Sequence, residues 1–156
     1  MSINDIGKEG ERLARQILKE RGCSDIFQAD WLVKFPGSDD WIVVEVKHKE
    51  RFRAPPYDGH GLNAYQADMR LKFQKETGIR TLFLVIGADD NRVYIQWLDA
   101  LHKKTIERYG QLFETKNGIR IFDLRFFKIA GMQTPTNNFT QPPTLSAGGF
   151  SYAQIR

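Results

Sequence analysis

The sequence predicts an α/β domain built on a central mixed β-sheet with helices on its faces. Three observations carry that expectation. Segments of helical periodicity and apolar runs of strand length follow one another as helix, strand, strand, helix, strand over the first ninety or so residues. The first two apolar runs are joined by Pro36-Gly37-Ser38-Asp39, which reads as a turn. Arg80 to Ile86 is a nearly continuous apolar run of the kind found in buried strands. A chain of 156 residues is ordinarily one domain, large enough for a core without staples.

The first helix is expected from a capping start at Ser2 and Asp5 to about Arg21, with Gly22 as its stop. Ile6, Gly10, Leu13, Ala14 and Ile17 form its apolar stripe, and Gly10 permits close approach to a sheet. Glu11 lies at the border of that stripe, in reach of the interior. Strands at 30–35 and 41–47 then make a hairpin. If Phe35 pairs with Asp40, Asp30 falls opposite Glu45, Leu32 opposite Val43 and Lys34 opposite Trp41. Residues 54–61, rich in Pro and Gly, read as a loop, either a substrate-contacting flap or a passive connector. A second helix is expected from Leu62 to Thr77, stopped by Gly78, with Leu62, Tyr65, Met69 and Phe73 on its buried face. Gln66 sits among them and requires a polar partner, from a catalytic site or from backbone.

After the strand at 80–86 come a turn at 87–91, a strand at 93–97 and a short helix at 99–109. Lys116-Asn117-Gly118 signals a hairpin, since Asn-Gly favours the tight primed turn. Phe126, Phe127 and Ile129 are expected to close the core. From Gly131 the composition turns to Thr, Pro, Asn, Gln, Ser and Gly, with Arg156 the one charge. The expected organisation is therefore a domain at 1–130 and a flexible tail at 131–156.

The chemistry concentrates at Glu45-Val46-Lys47. Side chains alternate along a strand, so Trp41, Val43, Glu45 and Lys47 share one face. A carboxylate and an ammonium at the rim of a buried strand are costly unless paired or bound to a metal. With Asp30 opposite Glu45, two carboxylates come close enough to share one divalent cation, as a phosphodiester-cutting site requires. The competing reading of Glu45-Val46-Lys47 alone is a solvated strand end, because charge pairs are common on strand rims.

These residues resemble the PD-(D/E)xK nuclease superfamily, in the branch of archaeal Holliday-junction resolvases and related phage nucleases. The resemblance rests on Gly7, Gly10, Glu11 and Ala14 of the first helix, Asp30, Glu45-Val46-Lys47, and Gln66. Ala29 stands where the family name implies Pro. The resemblance implies a restriction-endonuclease-like core and a magnesium- or manganese-dependent DNA nuclease. In its terms Asp30 and Glu45 bind the metal, and Glu11 is an outer or second ligand. Lys47 orients the attacking water or the phosphate, and Gln66 supports the site. It also implies branched or recombination and replication intermediates as substrates, and hints at a homodimer. Two rival readings stay open: a catalytically silent nuclease fold that binds DNA or assembles with partners, and a nuclease acting on RNA.

Composition fits this expectation. The net charge is +4, and the basic residues cluster after the proposed site. Lys49, Arg51 and Arg53, with Phe52 interleaved, and Arg70 on the next helix are expected to contact nucleic acid. A solvated basic loop is the plainer alternative. Cys23 is alone, which excludes an internal disulfide and clustered-cysteine metal sites. His48, His60 and His102 lack metal-ligand spacing and are expected in structural or surface roles. No apolar run reaches membrane-spanning length and the N-terminus lacks a secretory segment, so the expected location is cytoplasmic (the host's, if phage-encoded).

Overall fold

A computed structural model describes residues 3–23, 29–54 and 56–132. In chain order its elements are α1 (Ile3–Glu20), β1 (Trp31–Lys34), β2 (Trp41–Lys49), β3 (Phe52–Ala54), β4 (Tyr57–Asn63), α2 (Ala64–Thr77), β5 (Thr81–Gly87), β6 (Arg92–Trp97), α3 (Leu98–Tyr109), β7 (Phe113–Glu114), β8 (Ile119–Asp123) and β9 (Lys128–Met132). Among the described residues, no helix is long and apolar enough to cross a membrane.

The β1–β2 hairpin forms because a tight turn separates two apolar runs. Gly37 takes a left-handed φ of 78°, which only Gly adopts freely, and the Ser38 amide closes the turn on the Phe35 carbonyl. Leu32 pairs with Val43 and Lys34 with Trp41, the register expected from the turn. β5 then lies parallel to β2, while β6 and β9 add antiparallel strands. The result is a mixed five-stranded sheet ordered β1-β2-β5-β6-β9, flanked by helices.

Alternation along β5 divides the core. Phe83 and Val85 face a cluster with Ala67 of α2, Leu98 and Leu101 of α3, Leu62, Tyr94, Phe122 and Phe127. Leu82 faces the other way, with Ile42, Val44, Val93, Ile95 and Trp97. Fully burying one such side chain contributes about 1.5–3 kcal/mol, so both layers matter to folding.

Residues 54–61, expected to be a loop, are mostly strand. β4 belongs to a second sheet ordered β3-β4-β8-β7. Its glycines are what made it look like a loop, and the packing requires them. A Cβ on Gly59 would lie 2.1 Å from the Phe122 carbonyl oxygen, and one on Gly61 would lie 2.2 Å from that of Arg120. Between them His60 is fully buried, against the ring of Tyr94 at 4.9 Å and the edge of Phe127 at 5.9 Å. Neither of its nitrogens has a hydrogen-bond partner, and burial pushes its pKa down to about 4.

Other expectations also need correction. α2 starts at Ala64, with the Asn63 side chain capping the Tyr65 amide. Its buried residues are Ala67 and Arg70, whereas Tyr65 is 71% exposed. The helix turns its small and cationic residues inward because a buried carboxylate waits there. In α1, Leu13, Ala14 and Ile17 are exposed rather than covered by the sheet, whose site face is filled by α2, α3 and β4. The turn before β8 is not primed: Gly118 has φ of 73° and its amide bonds to Thr115, while Asn117 keeps a negative φ. Phe127 is buried as expected, but Ile129 is exposed on the edge strand β9. β9 also includes Gly131 and Met132, the first residues of the expected tail; the rest of that tail, 133–156, lies outside the described residues.

Candidate active site

The hairpin register brings Asp30 level with Glu45. The ladder ends at Trp31 opposite Val44, and Asp30 is the next residue outward. Its carboxylate Oδ2 accepts the Val46 amide at 3.1 Å, in place of the backbone bond that another strand residue would supply. Asp30 is exposed, while Glu45 is 0% exposed. Asp30 lies in the bend that leads into β1, and Glu45 lies within β2.

A buried carboxylate must be compensated, and Glu45 is compensated twice. Lys47 Nζ donates to Oε1 at 2.5 Å, and Arg70 donates to Oε2 through Nη2 at 2.7 Å and Nε at 3.1 Å. The two cations differ in setting. The Lys47 side chain is 26% exposed and that of Arg70 only 5%, so Lys47 is the solvent-side partner and Arg70 the interior one. Arg70 was expected on a nucleic-acid-contacting surface. That expectation is corrected: its guanidinium points inward because a fully buried anion attracts it more strongly than solvent does. Sequence reasoning missed this role. The available signal was its spacing from Gln66, since residues four apart share one helix face. Gln66 is half-buried one turn before Arg70, on that same side of α2.

The basic segment after β2 is partly self-neutralised. The half-buried Lys49 lies over the Phe52 ring, 5.2 Å from its centroid. Burial, and then the nearby Lys47, lower its pKa. Arg51 and Arg53 both approach Asp89 of the β5–β6 turn, at 2.9 and 3.4 Å. The Arg51 contact is an ion pair without hydrogen-bond alignment, since its Nε has no properly placed acceptor. Arg53 keeps a largely exposed side chain, and His48 is also exposed. Of the four expected nucleic-acid contacts, Arg53 is the most open to a phosphate.

A hard divalent ion suits the donor set at Asp30 and Glu45: two carboxylates, with a cation already in contact with Glu45 Oε1. Among the described residues, no group of three or more His, Cys, Asp or Glu side chains is placed to hold a metal ion. The expected third carboxylate, Glu11, belongs to α1, but its side chain lies outside the described residues. No protein-family model, no curated protein and no solved structure matches this chain.

Proposed function

We propose that this protein is a magnesium- or manganese-dependent DNA nuclease with a PD-(D/E)xK site on a restriction-endonuclease-like core. One observation carries the reading: Asp30 reaches the Glu45 strand, where its carboxylate accepts the Val46 amide, and Lys47 contacts Glu45 on the same strand face. The element order supports it, with β5 returning parallel to the Glu45 strand after α2. Asp30 and Glu45 would hold the ion, with Glu11 assisting from α1. A bound ion neutralises charge on the attacked phosphate and lowers the pKa of its water. Lys47 places a compact cation beside the phosphate, where negative charge grows in the transition state. Gln66 supports the site from α2, and Arg53, with Lys49 and Arg51 behind it, steers the phosphate backbone.

The substrates proposed are branched or recombination and replication intermediates in the cytoplasm, with a homodimer as the working assembly. Cleavage of labelled linear, flapped and four-way DNA with magnesium tests the reading. Asp30→Asn and Glu45→Gln should each abolish cutting; Asp30→Asn should melt near wild type, whereas Glu45→Gln removes the buried partner of Arg70 and should melt lower. Cutting at near wild-type rate by either variant refutes the assigned site.

A second reading, a catalytically silent DNA-binding or assembly module, has one observation in its favour. Glu45 is already neutralised by Lys47 and Arg70, so its burial is accounted for without a metal. DNA binding by wild type without magnesium-dependent cleavage of any of the DNA forms would select this reading.

A further inference from the structure

We propose that Arg70 is the fixed counter-ion of Glu45 and Lys47 its exchangeable one, so that a divalent cation binds Glu45 through Oε1 alone by displacing the Lys47 ammonium. This rests on the metal-site reading above and specifies how that site is built.

The two contacts are unequal in every respect that governs exchange. Arg70 sends two N–H groups to one oxygen, Oε2, from a side chain that is almost entirely buried. A guanidinium stays charged in any protein setting, and its planar fork loses little freedom on pairing. Lys47 makes one contact, to Oε1, from a side chain with access to water. An ammonium on a four-carbon stem can swing to solvent or to a phosphate, where it is well hydrated or paired again. Displacing Lys47 therefore sends its charge toward solvent, whereas the buried Arg70 has no such route.

Two consequences follow for Glu45. Its carboxylate can accept an ion at one oxygen only, because Oε2 is occupied. Its orientation is set from α2, which makes Arg70 a positioning residue acting through Glu45. Asp30 supplies the second donor from the bend before β1, with one oxygen bound to the Val46 amide. With a cation at Oε1, the Lys47 ammonium would be available to a phosphate.

Manganese binding by calorimetry, with no DNA present, tests this directly. Lys47→Gln removes the competitor and should bind manganese about tenfold more tightly or better, since two like charges at contact repel strongly near a protein surface. Arg70→Lys should weaken binding, because a single ammonium cannot hold Oε2 through two donors. Arg70→Gln is expected to melt well below wild type. Combining it with Glu45→Gln should recover most of that loss, because the buried carboxylate oxygen that Arg70 served, Oε2, is then no longer charged. Unchanged or weaker manganese binding by Lys47→Gln, with wild type binding normally, overturns the exchange. Additive losses in the Arg70→Gln/Glu45→Gln pair overturn the positioning role. Wild type that binds no manganese removes the metal-site reading itself, and this inference with it.

Discussion

His60 is a titratable ring locked in the core without a partner, and that makes the protein's stability depend on pH in a specific window. The ordinary pKa of 6.5 falls to about 4 in the fold, chiefly through burial, with Asp89 and Asp90 opposing and Lys49 and Arg51 assisting. As pH drops through 6.5 the unfolded chain protonates His60, while the folded chain does so only near 4. The stabilising difference is thus complete above pH 6.5 and is lost progressively down to about pH 4. A span of about 2.5 pH units, at about 1.4 kcal/mol each, sets the full loss at about 3.5 kcal/mol. Urea unfolding of wild type and His60→Phe at about pH 7.5 and about pH 4.5 isolates it. Phe keeps an aromatic ring against Tyr94 and Phe127 and removes both unpartnered nitrogens. Wild type should lose about 2–3 kcal/mol more than the variant between those two conditions. The carboxylates of Asp90, Asp99 and Asp123, whose pKa values are lowered, remain in both proteins and cancel in the comparison. Equal losses would refute the reasoning and mean that His60 is protonated in the fold as easily as in water.

Other outcomes are equally specific. Lys47→Ala should lower kcat by orders of magnitude with little change in KM, because a positioned cation acts mainly on the transition state; a change confined to KM in steady-state cleavage would refute this. Gly61→Ala forces a Cβ onto the Arg120 carbonyl and should lower the melting temperature by several degrees or prevent folding; wild-type melting would show that β4 and β8 can part freely. Arg53→Ala should weaken DNA binding uniformly across sequences and reduce its salt dependence by about one ion, which fluorescence anisotropy at graded salt would measure.

The hairpin was legible because local rules determine it. Gly37 suits the turn, the strands alternate, and the count of residues from Phe35 and Asp40 sets which side chains face each other. The pairing of Lys47 with Glu45 was legible for the same reason, being two residues along one strand. The partners that come from afar were not. Arg70 looked like surface because cations usually are, and only a buried carboxylate 25 residues earlier turns it inward. Tyr65 looked like core because aromatic residues usually are, yet it is the outer face of α2. β4 looked like a loop because Gly59 and Gly61 lower strand propensity. Their purpose is close approach to β8, some 60 residues downstream and invisible to local pattern.

That pairing of β4 with β8 has a consequence for biosynthesis. α2 begins where β4 ends, its first amide bonds to the Gly118 carbonyl, and its Asp68 holds the buried Arg120 of β8 at 2.6 Å. The helix that carries Arg70 is therefore seated on a strand translated about fifty residues later. A nascent chain emerges from its N-terminal end at about 5–20 residues per second, so Glu45 exists for seconds before its interior counter-ion has a seat. A ribosome stalled before Ile119 would hold a chain whose β4 edge and Leu62 lack their cover. Such a product should be a ready target for proteases and chaperones.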